Sequence, residues 1–546
     1  MTTTLAAPAP VPAPAKTPEK FNTRAAGAVG IAVMCSRLLG LVREQALAHV
    51  YGAGFAMDAF QAAFRVPNLL RDLFAEGALS TAFVTTFSKK IATEGDEAAW
   101  KLANKVATMA AITLGIVCLL GIVLAPQLVG LLADGFSPEK AALTTHLTQV
   151  MFPFILLVSL AALVMGMLNA KNVFGVPAMS SSFFNIGSIV GGISLAWVFD
   201  HKFGPASLTG LALGTLLGGT LQLVVQFPAL RRVGYRFRPD FMWRDEGVRQ
   251  VLRLMGPAVI AASAVQVNVM VNARFASELP GDGPVSWLGY AFRLMQLPLG
   301  IFGVAIGTVT LPLVSRSAAA GDTAQFRSAL ARGMRLAFLL TGPSTIGLIM
   351  LARPIMSLLY EHGHFNSVDA AQTAAALQYY AIGLAAYSGI KVLAPAFYAI
   401  DKRTTPMMVS FASIGINLLL NWLFTFKLGL GHRGLALSTG CVALINFSAL
   451  YFLMRRETKL LETRLMIRTL ARLLPACILL ALVCWAGQHW VLAGWAHFAV
   501  PVRALSLLSV IAVGTVVFFG AAIVCRVEEM TDLTKLVKRK LGRLKA

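Results

Sequence analysis

The stretch AFRVPNLLRDLFAEG, Ala63 to Gly77, sets Arg65, Arg71, Asp72 and Glu76 into an otherwise apolar run. In a helix, Arg65, Asn68, Asp72 and Glu76 fall at i, i+3, i+7 and i+11 and share one stripe. A second segment, SRLLGLVRE, carries Arg37, Arg43 and Glu44, with Arg37 and Glu44 one heptad apart on a common face. Farther on, AFRLM carries Arg293, and a later apolar segment carries Lys391. Arg65, Asp72 and Glu76 could form an internal ion-pair network. The arginines Arg37, Arg43, Arg71 and Arg293 outnumber the acids near them and point to another use. A guanidinium is a planar fork of donors that meets phosphate oxygens bidentately. The expected ligand carries phosphate or several carboxylates.

The elements that hold these charges are apolar. The chain has 546 residues, of which 57% are hydrophobic and 13% charged, with a mean hydropathy of +0.71. A bilayer core about 30 Å thick takes roughly 20 apolar residues per helix. About 14 such segments are predicted, the first near 25–50 and the last near 503–526. The expected fold is an all-α polytopic membrane protein. A charge at mid-bilayer costs about 2.5–3.5 kcal/mol on insertion scales, so charged stripes must face water or acids rather than lipid. The stripes on helices 1, 2 and 8 therefore turn toward an interior cavity.

The net charge of +22 does not mark nucleic-acid binding, because its distribution follows topology. With the N-terminus in the cytoplasm, the basic clusters fall on cytoplasmic connections: Lys89 to Lys105, Arg231 to Arg253, Arg316 to Arg335, Arg455 to Arg468, and a tail from Lys535. The opposite connections hold only Lys140, Lys202, Arg353, Lys427 and Arg433. This is the positive-inside pattern, with both termini cytoplasmic. The basic tail is expected on the anionic inner leaflet. Residues 1–22 read as a disordered tail rich in Pro and Ala, lacking the basic and apolar regions of a signal peptide. Six cysteines sit singly in apolar segments and read as small hydrophobes rather than disulfides or metal ligands.

The chain also repeats itself. AFRVPNLLRDLF from Ala63 matches AFRLMQLPLGIF from Ala291 at an offset of 228. LNAKNVFGVPAMSSSF from Leu168 matches FYAIDKRTTPMMVSFA from Phe397 at 229, with Pro177 on Pro406. Helices 1–6 and 7–12 then form two pseudo-symmetric lobes, 23–232 and 244–456, followed by helices 13–14 over 462–526 and the basic tail 527–546. Transporters of this design bind substrate between the copies and rock them for alternating access.

The block SRLLGLVREQALAHVYGAGFAMDAFQAAFRVPNLLRDLFAEGALSTAF, Ser36 to Phe83, resembles the hallmark of the MurJ (MviN) family of lipid II flippases, within the multidrug/oligosaccharidyl-lipid/polysaccharide exporter superfamily. VSWLGYAFRLMQLPLGIFGVAIGTVTLP from Val285 and GIKVLAPAFYAIDKRTTP from Gly389 are similar to further family motifs. The resemblance covers helices 1–12 and extends over all 14. It implies a multi-pass protein of the bacterial inner membrane that moves lipid II, undecaprenyl diphosphate bearing a disaccharide-pentapeptide, to the periplasmic leaflet. It places substrate-binding residues at Arg37, Arg43, Arg71 and Arg293, with Ser36, Asp58, Arg65 and Glu76 beside them. It implies membrane lipids and cell-wall synthesis proteins as partners and no cofactor. It also implies a groove on helices 13 and 14 for the lipid tail. The chain departs from the family in carrying Phe292 where relatives have an acid and Gln296 where they have Glu. Some members bind sodium on helices 7 and 11. The helix 11 positions here are Asn417 and Asn421, two amides that make a poor sodium site.

Two other readings are weighed against this one. Export of another polyprenyl-linked glycan fits the same charges, whereas export of cationic drugs calls for an acidic cavity. A membrane enzyme acting on polyprenyl diphosphate calls for clustered acids, and the chain has no DDxxD, HExxH or P-loop. The histidine pair in EHGHFN, His362 and His364, reads as part of a solvated loop.

Overall fold

The computed structural model describes residues 23–73 and 79–530. Among them every regular element is helical. A helix satisfies its own backbone polar groups, which hydrocarbon cannot do for it. In chain order the rods are α1 (Thr23–Tyr51), α2 (Phe55–Arg71, then Ser80–Glu94), α3 (Asp96–Val123), α4 (Pro138–Ala170), α5 (Gly175–Phe199), α6 (Ser207–Arg232) and α7 (Glu246–Ser277). There follow α8 (Pro284–Pro298, then Val304–Ala319), α9 (Thr323–Met350), α10 (Ser367–Ala381, then Leu384–Ala399) and α11 (Thr404–Lys427). The last three are α12 (His432–Thr458), α13 (Thr463–Val491) and α14 (Val500–Val524).

Among the described residues nine of these are long and apolar enough to cross a membrane, or 11 when the bent pairs α7 and α10 each count as one span. The expected 14 spans are therefore not reached by length and apolarity. The rods left out are α1, α2 and α8, those carrying the arginines predicted to face a cavity.

Rods α1 to α6 pack chiefly on one another, as do α7 to α12, and α13 lies against α14 and α9. The lobes are two six-helix bundles plus a C-terminal pair. Outward side chains such as Ile478, Leu482, Leu505, Val516 and Val524 are exposed and apolar, as lipid-facing positions require. All six cysteines stand free. Helix starts are fixed by local caps: Asp245 accepts from Gly247 N at 2.8 Å, Asp322 from Gln325 N at 2.9 Å, and Asn366 shares a capping box with Asp369. One π-helical turn, Leu299–Gly303, interrupts α8. Such turns are frequent at functional positions.

At one end the lobes are pressed together. Gly52, at φ +67°, faces the carbonyl of His364, where a β-carbon would sit 2.6 Å away. His364 N donates to His49 O at 3.0 Å, and Tyr290 OH to Gly52 O at 3.4 Å. The Tyr290, Tyr360 and Phe365 rings pack edge-on and tilted against one another behind this contact. The EHGHFN loop thus does more than meet solvent: its backbone is part of the seal. Glycine at 52 is required both by its positive φ and by the approach of the other lobe.

Candidate functional site

A cavity of roughly 630 Å³ opens between the lobes, within the size range of ligand sites. Its charged lining comes from three rods: Arg43 and Glu44 on α1, Arg65, Arg71 and Asp72 on α2, Arg293 on α8. Asn68 lines it too, so the stripe read at i, i+3 and i+7 does share one face. Arg65 and Arg293, offset by 228, meet in the same space, one from each lobe. Glu76, the last member of the stripe, lies outside the described residues.

Sequence reasoning undervalued Glu44. Its Oε1 accepts from Arg43 Nη2 at 3.0 Å and from Arg293 Nη1 at 2.5 Å, so one buried carboxylate joins the lobes inside the cavity. Asp72 pairs with its neighbour Arg71 at 2.8 Å. Arg65 makes no ion pair among the described residues. The Arg43 guanidinium also lies over the Phe184 ring, 5.2 Å from its centre. Four guanidinium groups thus face two carboxylates. The remaining positive charge is the feature an anion would neutralise. Phe292 and Gln296, both uncharged, also line the cavity and leave that surplus intact.

Three predicted residues lie elsewhere. Arg37 is turned from the cavity lining to the π turn of α8, where its guanidinium occupies the space beside Gly300. Ser36 faces α5, its carbonyl accepting from Asn185 Nδ2 at 3.1 Å. Asp58 is 1% exposed and already saturated. Its Oδ2 accepts from Gly283 N at 2.7 Å, and its Oδ1 accepts from Ser286 N at 2.8 Å and Ser286 Oγ at 2.5 Å. Lys140 Nζ stands 3.4 Å from Asp58 and 2.5 Å from Asp282. Asp58 therefore caps the first turn of a helix in the other lobe. Ser286 is also its counterpart at the offset of 228. Residues related by a two-fold axis touch only at the axis, so the repeat itself held the signal for this latch.

Asn417 and Asn421 do come together. Both donate to Asn272 Oδ1, at 2.9 and 2.7 Å, and Asn272 Nδ2 donates to Thr439 Oγ1 at 3.2 Å. Ser438 Oγ donates to Asn421 Oδ1. The Asn272 and Asn421 amide oxygens that a cation would need accept from amide and hydroxyl donors, and the group contains no carboxylate. It does not fit a sodium ion.

The family model described as lipid II flippase MurJ matches residues 47–506. The chain belongs to that family. It is 35% identical over 463 residues to the lipid II flippase MurJ of Burkholderia cenocepacia, covering 84% of this chain and 87% of the relative. It is 33% identical over 421 residues to a probable lipid II flippase MurJ of Buchnera aphidicola from Acyrthosiphon pisum, covering 77% and 81%. A solved lipid II flippase MurJ in an inward closed conformation superposes with TM-score 0.71 at 24% identity, over 91% of this chain and 99% of that one. An inward-facing multidrug resistance transporter of the MATE family and the MOP superfamily superposes with TM-score 0.66 at 15% identity, over 80% of this chain and 98% of that one, a likeness of fold alone. Membership places this multi-pass chain among transporters rather than catalysts.

Proposed function

We propose that this protein carries lipid II from the cytoplasmic to the periplasmic leaflet of the inner membrane by alternating access, with its termini in the cytoplasm. The lobes 23–232 and 244–456 rock against each other around the cavity. The diphosphate is held by Arg43, Arg65, Arg71 and Arg293. The observation that carries this reading is the surplus of guanidinium groups in a cavity shared by two lobes. In a low-dielectric site that surplus favours an anion with several oxygens over a cation. Substrate enters from the end opposite the Asp58 latch. Its arrival competes with Glu44 for Arg43 and Arg293, loosening one cross-lobe pair. Release of the Asp58 latch then opens the other end. Arg37 reaches the substrate only after α1 or the α8 bulge shifts. The membrane potential resets the empty positive cavity, since one charge moved through 100 mV is worth about 2.3 kcal/mol. Cell-wall synthesis proteins would meet the basic loops. Export of another polyprenyl-linked glycan is the alternative that shares this charge pattern.

The test is exposure of lipid II at the outer face. Cells depleted of their own flippase receive this protein or its Arg293→Ala variant, and an external lipid II-degrading toxin reports exposed substrate. Wild type restores cleavage, and Arg293→Ala, expressed at the same level, does not. Full activity of the variant would remove Arg293 from the binding site. No cleavage with well-expressed wild type would transfer the assignment to another glycan lipid.

A further inference from the structure

The cavity has two chemically distinct walls. Among the described residues, every ionisable side chain that lines it stands on α1, α2 or α8, apart from the tyrosines Tyr380 and Tyr387 of α10. The wall formed by α7, α11 and α12 carries no charge, yet it is not apolar. It presents amides and hydroxyls, among them Asn268, Asn272, Ser413, Asn417, Thr439 and Asn446. Burying so many neutral polar groups in a membrane protein is costly unless each is bonded.

Part of that cost is met within the protein. The Asn272, Asn417, Asn421 and Thr439 knot is closed on itself, and Asn268 Nδ2 donates to Ser413 Oγ at 3.2 Å. This fixes three helices in register and holds the wall rigid. Above the knot the bonding is incomplete. Asn268 Oδ1 has no partner. Asn446 and Gln266, which also line the cavity, make no hydrogen bond among the described residues. Each free amide offers one acceptor and two donors. Tyr387 adds an aromatic face to the same space.

We propose that this wall is a second subsite, which recognises the uncharged acetamido-sugar part of the ligand whose diphosphate the arginine wall holds. The proposal rests on the diphosphate reading above and extends it. Amides and hydroxyls match the hydroxyl and N-acetyl groups of such sugars in both donor and acceptor sense. A charged group would find no counter-charge on this wall, so it does not duplicate the anion site. A purely hydrocarbon occupant would leave Asn268, Asn446 and Gln266 unpaired. The two walls together then discriminate a glycosylated carrier from the bare carrier lipid, because only the former satisfies both.

The experiment measures binding of three purified probes to the full chain in detergent: undecaprenyl diphosphate, its disaccharide conjugate without peptide, and lipid II. Asn446→Leu stands outside the structural knot, and Gln266→Leu is its independent companion. Each is expected to weaken the disaccharide conjugate and lipid II by about tenfold, the scale of one or two lost hydrogen bonds, and to leave the bare diphosphate unchanged. Arg293→Ala weakens all three probes. Equal loss for the bare diphosphate, or no loss for any probe in both leucine variants, overturns the subsite. Loss confined to lipid II assigns the wall to the peptide and overturns the sugar assignment. If Arg293→Ala changes nothing while the leucine variants still separate the probes, the diphosphate reading fails and the subsite stands.

Discussion

Two buried ionic clusters in this protein are built from opposite materials. The latch at Asp58 joins the lobes through two backbone N–H groups, a serine hydroxyl and a lysine shared with Asp282, itself half exposed. The cluster at Arg335 joins parts of one body. Its guanidinium pairs with Glu529, just beyond α14, and lies 3.0 Å from Glu462 in the α12–α13 connection. Thr469 of α13 completes it, donating to Glu529 at 3.5 Å. When the latch parts, water can reach helix-end N–H groups, a hydroxyl and a lysine. If the second cluster parted, a guanidinium and a carboxylate would be left in a hydrophobic core that includes Met466, Leu473 and Val527. A charge held by dipoles is a contact that can be exchanged for water, whereas a charge held by charge in a core is costly to separate. The alternating access proposed above would use the Asp58 latch as the contact that parts, while the Arg335 cluster stays closed.

The largest effect should follow from Asp58→Asn. The amide keeps the shape but sets a donor against the Gly283 and Ser286 N–H groups and leaves Lys140 with one partner. The seal is then expected to open. In a background with the six native cysteines replaced by serine, Met57→Cys reports it, since Met57 is 1% exposed in the sealed form. Labelling by a water-soluble maleimide should rise at least tenfold on the scale of a lost charged hydrogen bond, and lipid II exposure should be lost. Unchanged labelling would mean that the aromatic seal alone closes this end.

Glu529→Ala comes second and tests the other half of the contrast. An uncompensated Arg335 should cost about 3–5 kcal/mol of stability, seen as a lowered melting temperature in detergent. Met57→Cys labelling should stay at the wild-type level, because no cross-lobe contact is touched. Arg335→Met combined with Glu529→Leu should recover most of the melting temperature. Rising Met57→Cys labelling without a loss of stability would make this cluster a gate as well.

These clusters also mark what the sequence does and does not disclose. Arg43, Arg65, Arg71 and Arg293 are legible because an arginine in an apolar helix has few tolerable destinations, and hydrophobic periodicity tells which face it takes. Arg37 satisfies the same logic yet lies at the α8 bulge. Periodicity gives a direction around the helix, not the neighbour found there, and nothing in LGIFG announces a π turn. Asp58 looks like one more cavity acid until its offset of 228 to Ser286 is noticed. The Arg335–Glu529 pair spans 194 residues with no repeat or motif to connect its ends, so only the folded chain reveals it.

The smallest effect concerns a cross-lobe contact at the opposite end from the latch, where the lobes are joined covalently. Asp245, at the start of α7, receives Lys105 Nζ of α3 at 2.6 Å and Gly247 N at 2.8 Å. The connecting segment follows it onto α3, with Arg238 N donating to Asn104 Oδ1 and Asp240 N to Thr108 Oγ1, both at 3.1 Å. Partial burial alone would raise the Asp245 carboxyl, but Lys105 and the Gly247 N–H outweigh it and hold it below the usual carboxylate range. A depressed folded value means a contribution that is present above the unfolded value and lost as pH falls through the folded one. Asp245→Asn should therefore lower stability only slightly near neutral pH, by about 0.5–1 kcal/mol for a partly buried pair that also caps a helix. The gap between variant and wild-type melting temperatures should close as pH falls below about 4. Because this tie lies where the chain itself joins the lobes, it can persist while the latch opens, so Met57→Cys labelling should be unchanged. A gap that widens in acid would reverse the sign assigned to Asp245. Labelling that rises in Asp245→Asn would show that this end parts along with the latch rather than serving as its pivot.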